Sequence, residues 1–254
     1  MAFKPITSEM MTLKGYNGDT IEAYYAQPKG DGPFPGVVVC HHGPGWDAWT
    51  GEVVMKLALH GYAAISPHVY DHFGTHEPDE AAARQRTAGG VPDASVQADL
   101  QAGVDYLRSL SSSNGKVGII GFCFGGRQCY LGASQLKNIS AAVDCWGGSV
   151  IVDDPAGLTP ARPVAPIEYT NDIAVPVLGI FGNDDSNPDP DQVNRTEAAL
   201  KAAGKPYEFH RYDGAGHGFF AVDRPGYRAE QATDAWQKVF AFYEKHLGTA
   251  AGVK

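Results

Sequence analysis

The chain alternates between short apolar runs and longer segments in which apolar residues recur every three or four positions. Short apolar runs rich in β-branched residues predict strands, and the longer spacing predicts amphipathic helices. The predicted strands cover residues 35–40, 62–66, 116–120, 139–144, 174–181 and 207–212, and the predicted helices cover 49–60, 93–112, the segment directly after 126, 190–203 and 227–246. Strands that alternate with helices favour an α/β fold with a mostly parallel, twisted sheet covered by helices on both faces.

The remaining segments predict connections and termini of a single domain. Residues 8–27 alternate around an Asn17-Gly18 step suited to a tight hairpin, so residues 1–28 are predicted to carry N-terminal antiparallel strands. A long polar loop is predicted from the strand at 62–66 to about residue 92. Residues 150–173, rich in proline and polar groups, predict a loop or lid, and 249–254 a loose tail. A length of 254 residues fits one α/β domain, 1–254, with a large core.

Cys123 lies in a sequence context that favours a catalytic role. The run Gly121-Phe-Cys123-Phe-Gly125 follows the predicted strand at 116–120 and precedes a predicted helix. A reactive side chain flanked by glycines at such a corner is typical of a nucleophile elbow, here with cysteine in place of serine. Larger residues two positions either side would collide with the strand and helix. The alternative that this motif alone leaves open is a buried, inert cysteine.

Two further strand ends supply the partners that a thiol nucleophile needs. Asp184 and Asp185 follow the predicted strand at 174–181, and His217 follows the strand at 207–212. Nucleophile, acid and histidine in this order is the chain order of α/β-hydrolases. The sequence therefore predicts a triad of Cys123, Asp184 and His217. Spacing from the strand end favours Asp184, with Asp185 as the alternative.

Composition narrows the partners and the compartment. Twenty basic against 29 acidic residues give a net charge of −9, which argues against nucleic acid or an anionic membrane surface as partner. No apolar run approaches the length of a bilayer span, and the N-terminal residues lack the apolar segment of a signal peptide. Four cysteines without CxxC spacing favour a reduced, cytoplasmic protein. The sequence leaves open whether the protein is a monomer or a homodimer.

Nearly the whole chain resembles the dienelactone hydrolase family of α/β-hydrolases. The resemblance is carried by four motifs: Gly121-Phe-Cys-Phe-Gly-Gly126, Gly182-Asn-Asp184, Gly216-His-Gly-Phe219, and the predicted helix before Asn114-Gly-Lys-Val-Gly118. In that family a Cys-Asp-His triad replaces Ser-Asp-His. The resemblance implies Cys123 as nucleophile, Asp184 as orienting acid and His217 as base. It also implies a hydrolase without cofactor or metal that acts on a small ester or lactone through a thioester.

The chain departs from the family pattern at the positions that serve dienelactone itself. Family members active on dienelactones carry a glutamate, thought to help generate the thiolate, in the turn after the first core strand, where this chain has His42. Of the two arginines that bind the substrate carboxylate there, one is replaced by Ala221, and Arg84 or Arg86 could stand in for the other. These departures argue against dienelactone as the substrate and leave the ester or lactone class.

Residues predicted to surround the reacting carbon come from the same end of the sheet. The backbone N–H groups of Phe124 and Gly43 are the predicted donors to the oxyanion. Aromatic residues in or near these loops predict an apolar pocket, although each alone is more often core: Trp46, Trp49, Tyr70, Phe73, Trp146 and Phe219. The predicted substrate-binding residues are His42, Trp46, Tyr70, Arg84, Arg127, Trp146 and Phe219, with a structural salt bridge as the alternative for Arg127.

A different class of function remains as the alternative. A thiol with a low pKa also suits a non-catalytic or redox-sensing homologue in which Cys123 is reversibly oxidised. Cys129, one or two helical turns further on, is the candidate resolving cysteine. The presence of both an acid and a base favours the enzyme, because a sensor needs neither.

Overall fold

The computed structural model describes residues 5–75 and 77–248 of the chain. Eight strands are present in these ranges: β1 (Ile6–Lys14), β2 (Thr20–Pro28), β3 (Phe34–Cys40), β4 (Ala63–Pro67), β5 (Ser113–Phe122), β6 (Ala141–Cys145), β7 (Val177–Gly182) and β8 (Tyr207–Tyr212). They form one sheet in the order β1-β2-β4-β3-β5-β6-β7-β8. Strand β2 pairs antiparallel with β1 and β4, and the pairs from β4 to β8 are parallel. The predicted mostly parallel sheet is confirmed.

Helices cover both faces of this sheet. The described α-helices are α1 (Ala48–Leu59), α2 (Pro78–Thr87), α3 (Asp93–Ser109), α4 (Phe124–Gln135), α5 (Pro190–Ala202) and α6 (Ala229–Leu247). Successive residues of a strand point to opposite faces. In β3, Val38 belongs to the buried cluster that contains residues of α3 and α4, whereas Val37 and Val39 belong to the cluster that contains residues of α1 and α6. The all-apolar pattern of the central strands follows from this burial on both sides.

Helix α2 corrects the prediction of a continuous polar loop up to about residue 92. The helix begins with Pro78 in its first turn, where a proline lacks only an N–H that would have no partner in the helix. Its buried positions are Ala81, Ala82 and Gln85. These side chains are too small or too polar to produce a visible apolar period, so the pattern of the sequence does not distinguish this helix from a loop.

The segments that carry the predicted site residues follow the sheet at a single edge. Strands β3, β5, β7 and β8 are mutually parallel through their neighbours and end at Cys40, Phe122, Gly182 and Tyr212. The segments that follow therefore meet at the carboxyl end of the sheet, which is where α/β folds place their ligand sites. Among the described residues, no helix combines the length and the apolar character needed to cross a bilayer.

A buried ion pair joins α3 to α4 beneath this edge. The Arg127 guanidinium donates to both carboxylate oxygens of Asp93, at 2.6 and 3.0 Å, and Gln128 donates to the same carboxylate at 2.7 Å. The Arg127 side chain is 3% exposed and that of Asp93 12%. Arg127 is therefore a structural residue, and its prediction as a substrate-binding residue is wrong.

We expect Arg127→Met to lower the free energy of unfolding by about 3–5 kcal/mol, because it leaves the buried Asp93 carboxylate without its counter-ion. Arg195→Met is the matched control, since Arg195 pairs with Asp153 through side chains that are 46% and 58% exposed. Exposed pairs contribute about 0–1 kcal/mol. Urea denaturation of both variants measures the difference, and equal losses would contradict a structural role for the buried pair.

Candidate active site

The corner between β5 and α4 holds Cys123 in a backbone conformation that few residues adopt. Its φ is 55° and its ψ is −114°, which is unfavourable for a residue with a Cβ atom. Close packing around the corner requires glycine on either side. A Cβ on Gly121 would lie 2.0 Å from the Gly125 oxygen, and a Cβ on Gly125 would lie 2.3 Å from the Cys40 oxygen. The motif therefore forms the strained elbow that the sequence predicts.

A continuous chain of hydrogen bonds runs from Cys123 through His217 to a carboxylate. The His217 Nδ1 atom lies 2.8 Å from Oδ2 of Asp185, and the His217 side chain also hydrogen bonds the Cys123 sulfur. Since Nδ1 faces the carboxylate, Nε2 is the ring atom left for the sulfur. Asp185 is nearly fully buried, with 2% of its side chain exposed, whereas the imidazole is 40% exposed on its cavity side.

The carboxylate in this chain is Asp185, so the prediction that Asp184 orients His217 is wrong. Strand β7 ends at Gly182, and the turn that follows brings the Asp185 N–H to 3.3 Å from the Gly182 oxygen. This turn directs Asp185 inward and leaves Asp184 exposed. The Asp184 backbone N–H instead donates to the Ala215 oxygen at 2.9 Å, which ties the segment after β7 to the segment that carries His217.

The Cys123 thiol and the His217 imidazole shift each other's pKa toward the charged form. Burial raises the pKa of the Cys123 thiol, but the hydrogen bond and charge of His217 and two backbone N–H groups outweigh it, so the pKa lies below that of an ordinary cysteine. Burial lowers the pKa of His217, while its hydrogen bonds to Asp185 and Cys123 raise it, with a net rise to about 10. Each group therefore favours the charged form of the other, and the thiolate beside an imidazolium is the reactive form of such a pair.

The two backbone N–H groups at the sulfur are those of Gly43 and Phe124. Phe124 is the first residue of α4, and Gly43 lies in the turn after β3. At Gly43 a hypothetical Cβ would lie 3.9 Å from the Cys123 sulfur and 4.0 Å from the Phe124 Cβ. Both predicted oxyanion donors thus converge on the reactive atom, a geometry that can hold a negatively charged oxygen beside it.

A cavity of about 270 Å³ opens on one side of Cys123, and we call it the aromatic cavity. Its lining includes the predicted residues His42 and Trp146, together with Trp49, His217 and Arg224. The Trp146 ring stands edge-on to His217, with 6.4 Å between the ring centroids. The apolar walls suit a hydrocarbon part of a small ligand.

His42 is fixed in this cavity by a carboxylate. Its Nε2 lies 2.6 Å from Oδ2 of Asp47, the residue that also caps α1 through a 3.0 Å bond from the Thr50 N–H. Burial raises the pKa of Asp47, but the bonds from His42 and Thr50 outweigh it and lower the pKa to about 2. Arg224 approaches the same carboxylate at 3.5 Å. A negative carboxylate thus sits behind His42.

A second cavity, of about 570 Å³, shares Pro44 and Arg224 with the aromatic cavity, and we call it the arginine hollow. Three arginines line it, Arg86, Arg162 and Arg224, together with the buried Tyr70 and one exposed carboxylate, Asp79. Arg162 is half-buried with its guanidinium 5.3 Å from the centre of the Phe124 ring, and its buried Nε bonds to no atom of the described residues. The hollow is therefore suited to an anion.

Several predicted binding residues lie outside both cavities. Arg84 is exposed and donates to Glu80 and to the Phe73 oxygen. Phe219 is fully buried and packs on Trp146 at 5.2 Å as part of the core. Trp46 stacks on His68 and donates to the Ser66 hydroxyl at 3.1 Å. Ion pairing and packing engage these three side chains, so the structure does not bring them into the lining of either cavity.

Arg162 and Arg224 line the hollow but are not among the residues predicted from the sequence. Arg162 lies in the 150–173 segment, and Arg224 lies seven residues after His217. Neither arginine belongs to a recognisable motif, so the sequence offers no signal for them beyond the loop or lid predicted at 150–173. The described residues bring no group of three or more metal-binding side chains together.

Comparison with known proteins gives consistent results. The family model described as "Dienelactone hydrolase family" matches residues 21–247. A protein of Escherichia coli (strain K12) named "Putative carboxymethylenebutenolidase" is 35% identical over 240 residues, which cover 91% of this chain and 84% of that protein. A Bradyrhizobium protein named "Probable 2-oxo-3-(5-oxofuran-2-ylidene)propanoate lactonase" is 28% identical over 250 residues, covering 97% and 98%. The crystal structure of a "Putative Dienelactone Hydrolase" from Klebsiella pneumoniae superposes with a TM-score of 0.87 at 31% identity, covering 96% of this chain and all (100%) of that one.

The pH dependence of alkylation tests the Cys123–His217 ion pair without reference to any substrate. We expect Cys123 to react with iodoacetamide at a pH below the usual range of cysteine, because His217 lowers its pKa. The alkylation midpoint is the pH at which the rate of alkylation reaches half its maximum. His217→Ala removes the opposite charge but leaves the thiol buried, so this midpoint should rise by about 1–3 pH units. Cys40, Cys129 and Cys145 are fully buried and should not react.

Mass spectrometry of the Cys123 peptide gives the rate at each pH. His210→Ala is the control, since His210 lies on β8, the strand that precedes His217, and pairs with Glu208 instead of Cys123. An unchanged midpoint in His217→Ala would show that the two side chains do not share a charge.

Proposed function

Because the chain belongs to the dienelactone hydrolase family, we propose that it hydrolyses a small carboxylic ester or lactone through a cysteine triad. In this proposal Cys123 is the nucleophile, His217 the general acid and base, and Asp185 the residue that orients the imidazole. The observation that carries the proposal is the hydrogen-bonded chain Cys123–His217–Asp185 with two backbone N–H groups directed at the same sulfur.

The first half of the reaction forms a thioester. The Cys123 thiolate attacks the carbonyl carbon, and the electron pair of the C=O bond moves to the oxygen. The N–H groups of Gly43 and Phe124 donate to that oxyanion. When the tetrahedral intermediate collapses, the C–O bond to the alcohol breaks, and the His217 imidazolium gives its proton to the departing alkoxide.

The second half releases the acid and restores the thiolate. His217, now neutral, accepts a proton from a water molecule as its oxygen attacks the thioester carbon. Collapse of the second tetrahedral intermediate breaks the C–S bond, with the electrons returning to sulfur. The carboxylic acid loses its proton to solvent, and the thiolate–imidazolium pair is ready for another substrate. Asp185 fixes the tautomer of His217 throughout.

Cys129 gives little support to the alternative of a redox sensor. Its side chain is fully buried, and burial raises the pKa of its thiol well above the usual range. A resolving cysteine needs an accessible thiolate that can attack a sulfenic acid. The hydrolase therefore explains more of the arrangement around Cys123 than the sensor does.

We further propose that the substrate carries an anionic group. Arg162 presents a half-buried guanidinium close to Phe124, and Arg86 and Arg224 face the same hollow. The name of the Escherichia coli relative denotes a butenolide, a lactone, with a carboxymethylene group. An anionic end in the arginine hollow would leave the acyl carbon beside Cys123 and an apolar part in the aromatic cavity.

Hydrolysis of short p-nitrophenyl esters and a simple lactone tests the reaction. We expect the wild type to turn over at least one of them and Cys123→Ala to turn over none. Asp185→Asn should lower kcat about 10⁴-fold, because an amide stabilises the wrong imidazole tautomer. Asp184→Asn is the matched control and should retain wild-type activity, since Asp184 is exposed. Undiminished turnover in Cys123→Ala would rule out the thiol as nucleophile.

A charged and a neutral ester of equal length test the substrate class. For p-nitrophenyl hydrogen glutarate, Arg162→Gln should raise KM about 10- to 100-fold, as expected for a lost bond to a charged group. For p-nitrophenyl hexanoate, KM should stay unchanged. Arg84→Gln is the control, because Arg84 lies outside the hollow and pairs with Glu80. Equal effects of Arg162→Gln on the two esters would contradict anion recognition.

A further inference from the structure

One buried histidine next to the site has no part in the chemistry described so far. His41 follows the last residue of β3 and is completely buried, with 0% of its surface exposed. It lines neither the aromatic cavity nor the arginine hollow. A fully buried imidazole is costly unless its polar atoms are bonded, so its contacts require an explanation.

Among the described residues, the hydrogen bond of the His41 ring goes to the peptide that supplies an oxyanion donor. Its Nδ1 lies 2.8 Å from the backbone oxygen of His42. The carbonyl carbon of His42 and the nitrogen of Gly43 belong to one peptide unit. In a trans peptide the C=O and N–H bonds point in opposite directions. A donor that holds the His42 oxygen on the inner side therefore turns the Gly43 N–H outward, toward the Cys123 sulfur that it bonds.

The protonation of His41 follows from its surroundings. Burial lowers the pKa of His41 most, the bond to the His42 oxygen opposes it, and the pKa ends at about 3. The ring is therefore neutral, and because a carbonyl oxygen only accepts, the one ring proton is on Nδ1. Nε2 is then a bare acceptor, and it bonds to no atom of the described residues. The Nδ1 atom therefore bonds the His42 oxygen, while Nε2 has no hydrogen bond within the described part of the chain.

Neighbouring groups hold the same turn in place. The Gly45 N–H also donates to the His42 oxygen, at 3.1 Å, and the Tyr70 hydroxyl donates to the Gly43 oxygen at 3.3 Å. The Tyr70 ring packs edge-on against His41, with 4.5 Å between centroids. Hydrogen bonds to the oxygen of a peptide also polarise it and strengthen its N–H as a donor.

We infer that His41 is a positioning residue that fixes and polarises the His42–Gly43 peptide, so that the Gly43 N–H is aimed at the charge on Cys123 and, in turn, at the oxyanion. The part concerning the oxyanion rests on the proposed hydrolysis. The part concerning the sulfur does not, because the Gly43 N–H bonds Cys123 before any substrate binds.

Three substitutions separate this role from simple core packing. His41→Asn keeps an N–H donor close to the position of Nδ1, His41→Gln places its amide near the position of Nε2, and His41→Leu has no donor. Val104→Ala in α3 is the control for lost stability, because Val104 is fully buried and belongs to the core cluster on that face.

Two measurements are made on each variant. Removing an oxyanion donor outright costs about 100- to 1,000-fold in kcat, so misdirecting one in His41→Leu should cost about 10- to 100-fold with little change in KM. The alkylation midpoint of Cys123 should also move to higher pH, since the sulfur loses a well-aimed donor. His41→Asn should stay near the wild type in both, and His41→Gln should resemble His41→Leu. Val104→Ala should lower the free energy of unfolding and leave both kcat and the alkylation midpoint unchanged.

The results distinguish the inference from the function on which it rests. If no ester is hydrolysed but the alkylation midpoint still follows the donor, the proposed hydrolysis fails and the positioning of the Gly43 N–H stands. If hydrolysis depends on Cys123 while Asn, Gln and Leu at position 41 behave alike, His41 is only a core residue. Should His41→Leu fail to fold, the comparison of Asn with Gln decides the same question.

Discussion

The structure depends on keeping a negative charge on a sulfur atom that is largely removed from water. Burial alone would favour the neutral thiol, and the pKa of Cys123 is lowered only because an imidazolium and two backbone N–H groups face it. These three partners come from different parts of the chain, after β8, after β3 and at the start of α4. The elbow carries Cys123 to the point where they meet, at the cost of a strained backbone, typically about 1–3 kcal/mol. The parallel sheet supports this arrangement because its strands end at one edge.

The N–H groups of Gly43 and Phe124 have two successive tasks in the proposed reaction. In the resting protein they stabilise the thiolate, and after attack the charge moves to the carbonyl oxygen, where the same donors are needed. Stabilising the thiolate alone would slow the reaction, because only interactions stronger in the transition state accelerate it. A donor rigidly held between the two positions is therefore more useful than a mobile one that follows the sulfur. The buried bond from His41 to the peptide of Gly43 provides such rigidity.

The sequence predicts this site well where the backbone determines it and poorly where side chains choose between partners. Strand ends, the elbow glycines and the convergence of Cys123 with His217 follow from local patterns. Asp184 and Asp185 both follow β7, and only the geometry of the turn selects Asp185. The sequence leaves both substrate binding and a structural salt bridge open for Arg127, because its partner Asp93 lies 34 residues earlier and leaves no signal nearby. Helix α2 has too little apolar surface to be recognised. The errors at Asp184 and Arg127 both concern interactions between segments that are distant along the chain.

The arginine hollow shows how the charge of a local surface differs from that of the whole chain. A net charge of −9 argues against polyanionic partners such as nucleic acid. It does not exclude a small anion, because charges beyond the Debye length, about 8 Å at physiological salt, are largely screened. Inside the hollow three arginines face one exposed carboxylate, and with Asp47 near Arg224 counted as well the local balance is still positive. The half-buried Arg162 is screened least, and its guanidinium adjoins the Phe124 ring next to the reactive sulfur. The charge that matters for a small substrate is therefore the one within a few ångströms of the nucleophile.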